Sequence, residues 1–253
     1  MTSPDRSPYR TTAIVVGVLY IIATAASLLS TALTSGALDA PDYLTAIAAH
    51  GDRVVTGALL LIAGGLSVVL IAALLFPVLK RYGEGIALAY VGVRILEAVA
   101  LVVSVVSLLL LVSVARDSVR GGAGAPAAAH LSSLGSLLQA LNDWSFPLNP
   151  VVFGLGGLLL YFLLYRSRLV PRWLSIWGLA GVAMVFAFGL LRMYGSGTLA
   201  LALPIGVQEM VLAGWLIVRG FDFSADGIEP VRTDAGRDSA LAVRVPSGAV
   251  GRG

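Results

Sequence analysis

Six long apolar runs divide the chain, at about 11–34, 54–79, 85–115, 146–165, 173–191 and 198–218. A helix needs roughly 20 apolar residues to cross a hydrocarbon core, and each run supplies about that many or more. Stretches such as LLLIAGGLSVVLIAALLF show no two-residue alternation, so they do not read as barrel strands. Uninterrupted helices pair their own backbone groups, as lipid demands. The pattern predicts an all-α integral membrane bundle of six transmembrane helices. The second and third runs exceed one crossing and are expected to tilt or project. Thr11 to Leu38 carries no charge, a stretch longer than the 7–15-residue apolar region of a signal peptide, so it reads as the first span.

Between the runs, two segments promise short interfacial helices in the outer loops. In DAPDYLTAIAAH at 39–50, Asp39 is the expected N-cap, with Pro41 and Asp42 in the first turn. In PAAAHLSSLGSLLQAL at 126–141, Leu131, Leu134, Leu138 and Leu141 recur at helical spacing, which predicts an amphipathic helix lying on the membrane surface before the fourth span. The link RGGAGAP at 120–126 reads as flexible. Residues 1–221 are expected to form the membrane domain. From 222 to 253 glycine, proline and charges mix without period, which predicts a disordered cytoplasmic tail.

Composition supports lipid as the solvent. Charged residues are 12% of the chain and apolar ones 58%, with a mean hydropathy of +0.91. A soluble domain of this size must show far more polar surface. The net charge is only +3 and the basic residues flank apolar runs, so nucleic acid is not an expected partner. The absence of cysteine excludes disulfides and thiolate chemistry. The Lys/Arg bias sets orientation. With the N-terminus in the cytoplasm, Arg6, Arg10, Lys80, Arg81, Arg166, Arg168, Arg172 and Arg219 lie inside. Only Arg53, Arg116, Arg120 and Arg192 then lie outside near span ends. The expectation is N-in and C-in, in the inner membrane of a bacterial cell.

Three ionisable residues interrupt the runs deep within them: Arg94, Glu97 and Glu209. Arg94 is ten residues beyond Glu84, and Glu209 ten before Arg219. At 1.5 Å per residue each is about 15 Å deep, half of a roughly 30 Å core. Matched depth predicts an Arg94–Glu209 contact. Glu97 follows Arg94 by three residues on the same helical face, and Gln208 beside Glu209 can both donate and accept. These four residues form the candidate midplane network. As a clasp, the network locks helices together, since buried pairs fix arrangement more than they add stability. Alternatively, two acids against one arginine leave a surplus negative charge, which suits a proton, a cation or water.

The remaining signals are weaker. His50 and His130 have no metal-ligand companions at useful spacing, so no metal or cofactor is expected. Trp144 reads as an interfacial belt residue, with Asn142 or Asp143 capping the next helix, and Asn149–Pro150 promises a bend. Tyr165, Trp173 and Trp177 read as anchors at the inner boundary. Gly154, Gly156, Gly157, Gly178 and Gly181 allow helices to approach closely. ALAYVGVR at 87–94 loosely echoes ALALPIGVQ at 200–208, a faint sign of inverted repeats of three spans each. No HExxH, GxSxG or P-loop occurs, which argues against an enzyme.

Three stretches carry a family resemblance: YVGVRILEAVALVV at 90–103, LLYRSRLVPRWLSIWGLAG at 163–181 and LPIGVQEMVLAGWLIVRGF at 203–221. With the six-run pattern, the chain resembles the bacterial "domain of unknown function 4386" family of polytopic membrane proteins over about 11–221. The resemblance implies a multi-helix membrane domain and brings no activity with it. The first functional reading is a structural or regulatory membrane protein, with lipid and a second copy or other membrane proteins as partners. The alternative is a small-solute or proton/cation-coupled transporter using the same buried charges.

Overall fold

The computed structural model describes residues 9–120 and 125–223. Arg6, most of the 120–126 link and the tail from 224 onward lie outside the described residues. The described chain is helical: α1 (Arg10–Leu38), α2 (Tyr43–Ala49), α3 (Gly51–Arg120), α4 (Ala125–Ser167), α5 (Arg172–Met193), a 3₁₀ turn (Leu199–Ala202) and α6 (Leu203–Val218). No strand occurs among the described residues. Five of these stretches are long and apolar enough to cross a membrane, which fits a membrane-embedded protein.

The second and third apolar runs both lie in α3. Gly83 breaks it with extended backbone (φ 166°, ψ 89°) into α3a (51–82) and α3b (84–120). Elsewhere, local chemistry sets the ends. The Asp39 N–H bonds Ser35 O and closes α1, while the Asp42 carboxylate accepts from Thr45 N and opens α2. The predicted cap at Asp39 is therefore corrected to Asp42, because Pro41 delays the helix. Arg168 in the left-handed region (φ 58°) ends α4, and Pro171 precedes α5. His50 ends α2, its Nδ1 at 3.1 Å from Ala46 O.

A second correction concerns 126–141. This stretch belongs to α4, a single helix of 43 residues, about 65 Å at 1.5 Å per residue. It stands against its neighbours rather than apart from them. Ser107 Oγ donates to Leu138 O (2.7 Å) and Gln139 Nε2 donates to Leu38 O (3.1 Å). Leu138 joins a cluster with Ile47, Val54, Leu108 and Leu111. Leu134 and Leu141 turn outward, and the packed face runs through Leu131, Gly135 and Leu138.

Packing closes a ring. α1 lies on α3, α3 on α4, α4 on α5, α5 on α6, and α6 back on α1. The seams are tight where the glycines predicted it. A Cβ on Gly157 would strike Val182, one on Gly178 the Tyr161 ring, and one on Gly181 the backbone of Ile205. Arg10 closes the ring at one end, donating to Leu216 O (3.2 Å), Ile217 O (2.7 Å) and Val218 O (3.0 Å), the free carbonyls at the end of α6. Polarity is inverted relative to a soluble fold. Leu28, Leu66 and Leu88 are more than 60% exposed, whereas Arg94 and Glu97 are 3% exposed. Apolar surface outside and charge inside is the arrangement lipid favours.

Candidate functional site

Arg94 and Glu97 sit on α3b, and their three-residue spacing puts them on one face. Arg94 Nη1 donates to Glu97 Oε2 at 2.6 Å. The guanidinium also lies over two rings, 5.4 Å from the Tyr90 centroid and 5.0 Å from that of Phe153 on α4. Gly156 makes this possible, since a Cβ there would lie 3.3 Å from Arg94 Nε. Charge, planarity and stacking are used together, which an arginine supplies and a lysine does not.

The predicted Arg94–Glu209 contact is not formed. Arg94 is committed to Glu97, and Glu209 makes no hydrogen bond or ion pair among the described residues. Both glutamates and Arg94 nevertheless line one cavity of about 210 Å³. Its wall also includes Tyr20, Thr24 and Ser27 of α1, Val68 and Ile71 of α3a, and Asn149 of α4. Each lining helix can be counted from its end at Arg10, Glu84, Ser167 or Arg219. On that measure Tyr20, Arg94 and Glu209 lie at about 15 Å, and Ser27, Leu101 and Asn149 at about 25–27 Å. The cavity thus runs lengthwise in the bundle. On α1 exposure rises from Tyr20 (buried) through Thr24 (half-buried) to Ser27 (exposed), so the cavity opens away from the Arg10 end.

Several polar groups here lack partners. Arg94 Nε, the Tyr20 hydroxyl and Asn149 Nδ2 are buried without a hydrogen bond among the described residues. Buried polar atoms are normally satisfied, so three around one cavity call for water or a ligand. Pro150, the next residue after Asn149, has no N–H to donate to the helix, which leaves further polar backbone near that wall.

Gln208 does not join this group. It is fully buried, accepts from the Tyr161 hydroxyl at 2.6 Å and donates to Leu174 O at 3.1 Å. Consecutive helical residues point about 100° apart, so Gln208 clasps α4 and α5 while Glu209 faces the cavity. The echo that aligns Arg94 with Gln208 therefore pairs residues of different sites. The sequence reading missed the α1 hydroxyls, although Tyr20, Thr24 and Ser27 recur at four and three residues, one helical face. No three metal-ligating side chains converge among the described residues.

No curated protein and no solved structure matches the chain. A family match covers residues 15–220 and takes in every cavity-lining residue named above: the chain belongs to the family described as "Domain of unknown function (DUF4386)".

Proposed function

We propose that the protein is a multi-pass membrane protein that binds a small polar solute or ion in its interior cavity and passes it across the bilayer. In this reading α3a and α3b cross separately, giving six crossings. Arg10, Lys80, Arg81, Arg166, Arg168, Arg172 and Arg219 fall at one end of the bundle and mark the cytoplasmic side of a cell membrane. The supporting observation is the cavity itself: an open space of mixed lining that reaches Glu209, a carboxylate without a partner among the described residues, about halfway along the helices. A purely structural clasp has no use for an opening or for unpaired donors around it. The clasp reading keeps its own support in the sealed Gln208–Tyr161–Leu174 contact, which lies on another face.

Solvent access separates the two. The native chain has no cysteine, so single-cysteine variants are clean reporters. Protein in sealed vesicles carrying Ser27→Cys or Thr24→Cys is treated with a charged, membrane-impermeant thiol reagent. Modification from the outer face, with Leu88→Cys left unmodified, is expected. Silence at both α1 positions from either side would leave only the clasp.

A further inference from the structure

We propose that the cavity takes a small organic monocation, a primary or secondary ammonium with an apolar stem, whose N–H groups rest on the Glu209 carboxylate. This rests on the cavity being a ligand site and names what it holds.

Charge comes first. Arg94 and Glu97 cancel at 2.6 Å, and no other Lys, Arg or His lines the cavity. Glu209 is therefore the uncompensated group, and a ligand of charge +1 brings the enclosed sum to zero. A negative ligand would double the imbalance in a low-dielectric setting.

Size and lining then choose among cations. About 210 Å³ is roughly seven waters' worth of space, far more than a bare metal ion fills. No group of three metal-ligating side chains stands ready among the described residues. The wall beyond Glu209 is instead mixed: Val68, Ile71 and Leu101 offer apolar contact, and the hydroxyls of Tyr20 and Thr24 offer acceptors for ammonium hydrogens. The Tyr20 hydroxyl lies near that of Tyr90, and neither makes another hydrogen bond among the described residues.

Aromatic geometry favours a hydrogen-bonding cation over the quaternary class. Binding of a quaternary ammonium relies on open ring faces. Here Tyr90 and Phe153 both hold the Arg94 guanidinium. A cation that donates hydrogen bonds is what Glu209 and the α1 hydroxyls fit.

The test uses the purified full-length protein in lipid nanodiscs, with n-butylammonium, tetramethylammonium, butyrate and sodium chloride titrated separately. Binding is read by calorimetry and by thermal stabilisation. Saturable binding of n-butylammonium is expected, at least tenfold tighter than tetramethylammonium, with none for butyrate. Glu209→Gln, which preserves shape, is expected to weaken it tenfold or more, and Thr24→Val severalfold. The proposal is overturned if butyrate, or sodium alone, saturates the site. It is equally overturned if Glu209→Gln, still folded by its thermal transition, binds n-butylammonium like the wild type. Labelling at Ser27→Cys or Thr24→Cys with no butylammonium binding would sink this assignment and leave the cavity reading standing; silence at both positions from either side would remove both.

Discussion

A guanidinium bonded to one carboxylate and lying over two aromatic rings is held from three sides, and its removal leaves each of those sides exposed. Arg94→Ala strands Glu97, which is buried at the cavity wall, so a loss of about 3–5 kcal/mol is expected, as for other broken buried pairs. Arg94→Lys restores the charge but not the stacking on Tyr90 and Phe153, and should recover only part of it. Chemical denaturation in detergent measures both. A double-mutant cycle on Arg94 and Glu97 should show coupling of about 0.5–3 kcal/mol, whereas Arg94 and Glu209 should be nearer additive. The buried charges were legible in the sequence because a lone Arg or Glu in an apolar run is conspicuous. Their pairing was not. Depth-matching favoured a partner on another helix, while the i,i+3 neighbour, already on the same face, needs no tertiary alignment at all. Tyr20, Thr24 and Ser27 passed unnoticed because hydroxyls are common in apolar helices and become informative only once a cavity is seen beside them.

Helices meet here where side chains are missing. Gly178→Ala puts a methyl into the Tyr161 ring, which is pinned by its hydrogen bond to Gln208. Overpacking of this kind should cost about 1–3 kcal/mol, read as a lowered unfolding midpoint. Gln208→Leu leaves the Tyr161 hydroxyl buried and unpaired and should cost a similar amount, about 1–3 kcal/mol. Neither change touches the cavity wall, so labelling of Ser27→Cys should persist in both backgrounds. The apolar runs gave the helices away, since hydrophobicity over 20 residues is hard to mistake. The joins were harder. A one-residue break at Gly83 carries no loop signature, and Pro147 and Pro150 look like stops although α4 continues through them. For 126–141 the leucine spacing fits two faces equally well, and only contact with α2 and α3b decides between them.

At the scale of the whole bundle, Arg10, Lys80, Arg81, Arg166, Arg168, Arg172 and Arg219 gather at one end, while near the other Arg53, Arg116, Arg120 and Arg192 are offset by Asp39, Asp42, Asp52 and Asp117. Reporter fusions at Gly195 should therefore read as external and fusions at Ser167 as cytoplasmic. A cytoplasmic reading at Gly195 would overturn the proposed sidedness. The ring geometry also bears on biogenesis. The three hydrogen bonds from Arg10 join α1 to α6, the described helices made earliest and latest, and α6 alone brings Glu209 to the cavity. A nascent chain halted at Met193 would carry α1 with nothing to latch onto and one seam facing lipid. Without α6 the described helices form an open horseshoe, because α6 is the element that bridges α5 and α1. A membrane protease scanning for unfinished chains would find its cue at that seam: an incomplete protein shows Gly17 and its neighbours on α1 uncovered, and a finished one hides them beneath Ala213 and Ile217.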